Sequence, residues 1–115
     1  MKQIKSIEKE IIKRLSQLNP YKIILFGSYA RNKATEFSDI DLYIITNDDF
    51  LPQNFDEKMK IKIKYVNSIY DIMKEHPIDM IVHTKKMYEE FLNSENPFAK
   101  EILENGKVLY ESKAG

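Results

Sequence analysis

The sequence predicts an α/β (α+β) fold, a small mixed β-sheet packed against helices within one domain of residues 1–115. Three short apolar runs, Tyr21–Phe26, Ile40–Ile45 and Ile78–Val82, have the length and β-branched content of buried strands. Between and around them lie longer segments whose apolar residues recur three and four apart, as on a helix face. Strands interleaved with helices on a chain this short favour a sheet covered by helices over a bundle or an all-β barrel.

The elements follow in order. Ile4, Ile7, Ile11, Leu15 and Leu18 form a helical stripe among Lys and Glu, and Asn19-Pro20 ends it. A first strand runs from Lys22 to Phe26, and Gly27-Ser28 turns it. Asn32 to Phe37 is polar and reads as a loop over that turn. A second strand runs from about Asp39 to Thr46, and a loop follows through Pro52 to Asn54. Asp56 to Lys74 carries both an alternating pattern (Met59, Ile61, Ile63, Tyr65) and a helical one (Ile63, Val66, Tyr70, Met73); its length without Gly or Pro favours helix. The third strand is Ile78 to His83. Thr84 is placed to cap a helix through Leu92, Asn93 to Pro97 breaks it, and a last helix from Phe98 to Asn105 stops at Gly106. Val108-Leu109-Tyr110 is a short strand or an extended tail.

Composition removes several function classes. Eighteen basic and 18 acidic side chains give zero formal net charge, which argues against direct nucleic-acid binding. Cysteine is absent, so no disulfide framework or thiolate metal site can form. No apolar run approaches the roughly 18 residues of a membrane span, and the N-terminus has no apolar signal core, so a cytoplasmic protein with no membrane partner is expected.

Chemistry concentrates in Gly27-Ser28-Tyr29-Ala30-Arg31 and, shortly after, Ser38-Asp39-Ile40-Asp41-Leu42. A glycine where a strand turns lets the backbone approach a ligand, and the amides after it are free to face an oxyanion. Asp39 and Asp41, two apart on a strand, project to one face. Adjacent carboxylates repel unless a cation lies between them, and Mg²⁺ is the usual answer where phosphates are near.

These residues resemble the GS…DxD signature of the DNA polymerase beta nucleotidyltransferase superfamily. The short length and the wording GSYAR, then SDIDL, are most similar to the minimal nucleotidyltransferases, the MntA-type antitoxins paired with HEPN-domain toxins. The resemblance implies a nucleotidyltransferase fold, Mg²⁺ held by Asp39 and Asp41, and ATP as nucleotide donor. It implies a third carboxylate on a neighbouring strand, for which Asp79 is the candidate, binding metal or acting as base towards the attacking hydroxyl. It also implies a tyrosine of a cognate HEPN ribonuclease toxin as acceptor, the modification silencing the toxin.

Within that frame Gly27 and Ser28 would meet the nucleotide phosphates, Ser28 through its hydroxyl and amide, and Arg31 would reach the triphosphate with its planar fork. Ser38 would cap or orient Asp39, or touch a phosphate. The superfamily usually has glycine where this chain has Asn32, the non-glycine residue that best tolerates a left-handed backbone. Tyr29 either stacks on a base or packs against the first helix. His83 reads as an ordinary half-buried histidine. Two other functions stay open: a binding-only antitoxin that silences its partner by complex formation, and an adenylyltransferase acting on a small molecule. A catalytic half-site of this size is expected to work against a second chain, the toxin or its own copy.

Overall fold

The computed structural model describes residues 2–35 and 38–112. Helix α1 (Lys2–Ser16) presents Ile7, Ile11 and Leu15 to the interior. It ends in a tightened turn, with the amides of Leu18 and Asn19 bonded to the carbonyls of Leu15 and Ser16 at 3.0 Å. Asn19 takes the left-handed backbone (φ 52°) that stops the helix, and Pro20 after it is buried. The chain continues through β1 (Lys22–Phe26), β2 (Ile40–Ile45), α2 (Phe55–Ser68), α3 (Tyr70–Glu75), β3 (Ile78–His83), α4 (Lys85–Asn93), α5 (Pro97–Asn105) and β4 (Lys107–Glu111).

The four strands form one mixed sheet in the order β3-β2-β1-β4. β1 is antiparallel to both β2 and β4, while β2 and β3 run parallel. The ambiguous stretch is helical but interrupted. Ile69 leaves helical geometry (φ −125°, ψ 22°) and divides α2 from α3, with its side chain wholly buried. Val108 to Tyr110 belongs to strand β4, which pairs with β1 and is no loose tail.

Alternation along the strands separates two apolar layers. Ile23 and Leu25 of β1, Ile40, Leu42 and Ile44 of β2, and Ile78 and Met80 of β3 pack with Ile11, Leu15, Tyr65 and Ile69. Ile24, Phe26, Tyr43 and Ile45 point the other way and meet Ile102, with Tyr88, Phe91 and Phe98 around them. The sheet is therefore sandwiched, α1 and α2 on one face and α4 and α5 on the other. Each fully buried Ile or Leu contributes about 1.5–3 kcal/mol by leaving water, which makes these alternating residues the main stabilisers.

The Thr84 cap falls where the sequence places it, while α5 starts at Pro97, one residue earlier than expected. The Thr84 hydroxyl accepts from the Met87 amide at 3.3 Å, and Asn96, with Pro97 behind it, starts α5. Gly106 ends α5 for a packing reason. Its φ is an ordinary −71°, but a Cβ there would collide with the Ile102 carbonyl and lie 2.8 Å from Ile24 Cγ2.

Candidate active site

Strand register assembles the acidic group. β2 and β3 are parallel with Asp41 opposite Asp79, and β1 brings Phe26 opposite Asp41 from the other side. Neighbouring strands lie about 4.8 Å apart, so the two carboxylates leave the same face side by side. This is the face that carries Tyr43 and Ile45, so the acids extend the α4/α5 layer beyond the end of its apolar packing. Asp39, expected to begin the strand, lies one residue before the observed β2 and is exposed.

The glycine turn is built against these acids. Gly27 follows Phe26 with φ +77°, a conformation that side chains resist, and a Cβ on it would run into Asp41 Oδ2. The two motif halves are thus in contact. From Gly27 the chain makes a compact turn, the Arg31 amide bonding the Gly27 carbonyl at 3.2 Å and the Lys33 amide the Ser28 carbonyl at 2.9 Å. Asn32 adopts the left-handed backbone (φ 57°) that glycine would otherwise supply.

Electrostatics record the crowding. Partial burial pushes the Asp41 carboxyl above its ordinary range, and the charges of Asp79 and then Asp39 push it the same way. An open cleft of about 410 Å³ lies here, lined by Phe26, Asp41, Lys62, Ile81, Asp79 and Phe98 among others. Phe26 and Phe98 meet edge to face at 5.1 Å and give it an apolar wall. Among the described residues no three His, Cys, Asp or Glu side chains form a ready-made metal cage. The donors nonetheless suit Mg²⁺, which prefers hard oxygens, needs only one or two carboxylates from protein and keeps the rest of its shell for water and phosphate.

The remaining sequence-predicted residues lie nearby with partners of their own. Arg31 Nε is 3.6 Å from Glu101 Oε1 on α5, so its guanidinium is turned to that helix. The Ser38 hydroxyl accepts from the Thr35 amide at 2.9 Å, and the Ser38 amide bonds the Thr35 carbonyl at 3.1 Å, closing the loop that enters β2. Residues 36 and 37 of the loop expected over the site lie outside the described residues. Tyr29 packs against the α1-side core, as the first-helix alternative had it. His83 is half-buried, its Nδ1 2.7 Å from the Tyr43 hydroxyl, and burial lowers its pKa, with Lys58 adding. Lys62 and Phe98 are the cleft residues that sequence reasoning missed. Lys62 is one of four alternating lysines on α2 and Phe98 one of several aromatics, so neither carries a signal apart from the fold.

Comparison with known proteins agrees with this fold. The family described as "Nucleotidyltransferase domain" matches residues 8–110. A Methanocaldococcus jannaschii relative named "Putative protein adenylyltransferase" is 38% identical over 89 residues, 77% of this chain and 77% of its own. A chain of a crystal structure described as a toxin-antitoxin with AMP-PNP superposes with a TM-score of 0.56 at 20% identity, covering 92% of this chain and 74% of the other. A chain from the structure of tri-AMPylated Shewanella oneidensis HEPN toxin in complex with MNT antitoxin gives 0.51 at 20% identity, covering 98% and 75%. At such identities the two structural likenesses show a shared fold.

Proposed function

Because this chain belongs to the nucleotidyltransferase domain family, we propose that it is a Mg²⁺-dependent protein adenylyltransferase serving as an antitoxin. It would transfer AMP from ATP to a tyrosine hydroxyl of a cognate HEPN ribonuclease toxin and so silence it. The observation that carries the reading is the register of Asp41 against Asp79 with the Gly27 turn packed on Asp41. The relative's name, and the AMP-PNP and AMPylated toxin in the two complexes, favour adenylyl transfer to protein over a small-molecule acceptor.

In this reading Asp39 and Asp41, with Asp79 beside them, would hold Mg²⁺, whose charge would neutralise the phosphates. Gly27 leaves room for the phosphate chain, and the backbone amide and hydroxyl of Ser28 donate to it. Arg31 turns from Glu101 to the triphosphate, and Ser38 holds the loop that sets Asp39. Asp79, exposed at the cleft, accepts the tyrosine proton as the phenolic oxygen bonds to the α-phosphorus and pyrophosphate departs. The protein's share of catalysis is positioning and charge compensation.

The alternative reading is neutralisation of the partner by binding alone. One experiment separates the two: purified chain, Mg²⁺, α-labelled ATP and the HEPN-domain partner, beside an Asp39→Asn/Asp41→Asn control. Label on the partner that disappears in the control supports adenylyl transfer. A partner bound and silenced equally by both proteins, without label, refutes it.

A further inference from the structure

Among the described residues, the large apolar side chains left exposed concentrate in one region: Phe50, Leu51, Phe55, Ile63 and Tyr70 all fall within residues 50–70. On α2 they have a pattern. The helix buries Ile61 and Tyr65 against the sheet and packs Val66 beside them, while Phe55, the half-buried Met59 and Ile63 stand at i, i+4 and i+8, a short apolar stripe on the side turned away from the core. Phe55 is 72% and Ile63 46% exposed, a large apolar surface for a helix that already has its buried face. At 100° per residue, Lys58 and Lys62 flank the stripe on one side and Lys60 and Lys64 on the other. Lys62 also lines the cleft that holds Asp41 and Asp79, so one flank of the stripe borders the candidate active site.

The geometry points to α2 as the docking surface for an acidic amphipathic helix of the acceptor protein, an inference that rests on the adenylyltransferase reading above. A stripe about 12 Å long, read at helical spacing, suits a helix laid along it. Lysines on both flanks select a partner with acidic flanks. A second copy would set like charge against like, since the four lysines outnumber Asp56 and Glu57. A helix seated there lies at the mouth of the cleft, which brings its chain's hydroxyl to the acids without an acceptor-binding domain.

The test uses the whole chain with the HEPN-domain partner of the labelling experiment and two variants, Phe55→Ser/Ile63→Ser and Lys60→Glu/Lys64→Glu. Both are expected to weaken partner binding in titration calorimetry at least about tenfold and to raise the acceptor KM with kcat unchanged. Binding of Mg²⁺ and a fluorescent ATP analogue, and the urea midpoint, should stay at wild-type values. Variants that bind the partner as tightly as wild type overturn the inference. So does a wild-type dimer that the serine variant dissolves, or binding to phosphatidylglycerol vesicles lost in the variants while partner binding persists. If wild type binds the partner through α2 yet transfers no label, the docking surface stands and the adenylyltransferase reading falls.

Discussion

Gly27→Ala imposes two separable penalties. At φ +77° an alanine takes a left-handed backbone that costs about 1–2 kcal/mol. Its Cβ also meets Asp41 Oδ2 and lies 3.2 Å from Asp41 Cγ, so the carboxylate must swing out of its position. Only the second penalty depends on the carboxylate, because Asp41 Cβ at 3.5 Å is an ordinary contact. In wild type the substitution should therefore cost about 2–3 kcal/mol, and in an Asp41→Ala background about 1–2 kcal/mol. Urea unfolding of the four proteins of this cycle, with m unchanged, measures both numbers. Equal cost in the two backgrounds would refute contact between the glycine turn and the carboxylate. A total below about 0.5 kcal/mol would refute the positive φ as well.

Four further outcomes follow from the same structure. Asp41→Asn should stabilise the metal-free protein at pH 7 by roughly 0.5 kcal/mol, discounted for solvent screening. The raised carboxyl makes the native state hold its proton longer, so wild type loses stability as pH climbs from the ordinary 3.8 through the native value; the gain should vanish below that window. Mg²⁺ at ten times its Kd should raise wild-type stability by about 1.4 kcal/mol and leave that variant's midpoint unmoved. Gly106→Ala should cost about 1–3 kcal/mol in urea unfolding, because the α5 terminus must move off Ile24. His83 has a lowered pKa, so stability is full above 6.5 and falls as pH drops through the native value; His83→Gln should flatten that limb in a midpoint-against-pH series.

The strands and helix ends were legible because their signals are local. Ile23 to Phe26, Ile40 to Ile45 and Ile78 to His83 are apolar runs with clear boundaries, and Thr84, Pro97 and Gly106 punctuate the helices after them. That Asp41 lies on a strand directly after Asp39 could be read from the local pattern alone. That Asp41 faces Asp79 in register could not, because parallel pairing is decided by how α2 and α3 return the chain across the sheet. The break at Ile69 was hidden for a related reason: its buried side chain, more than any local breaker, holds a non-helical backbone. Arg31 turning to Glu101 joins residues far apart in sequence, each with several equivalent charges nearby. Lys62 was invisible as a cleft residue since four alternating lysines on α2 look alike until the helix is packed.

The register of β3 on β2 has a consequence for quality control of the molecule. A slip of one residue would set Ile78 or Met80 beside Asp41 and turn Asp79 towards the layer those two residues fill. A misregistered molecule thus forfeits its acid pair and its core in one error, and no well-packed but chemically blank form lies close at hand. Loss of activity and loss of structure should then trace a single curve as denaturant rises, with every surviving folded molecule fully competent.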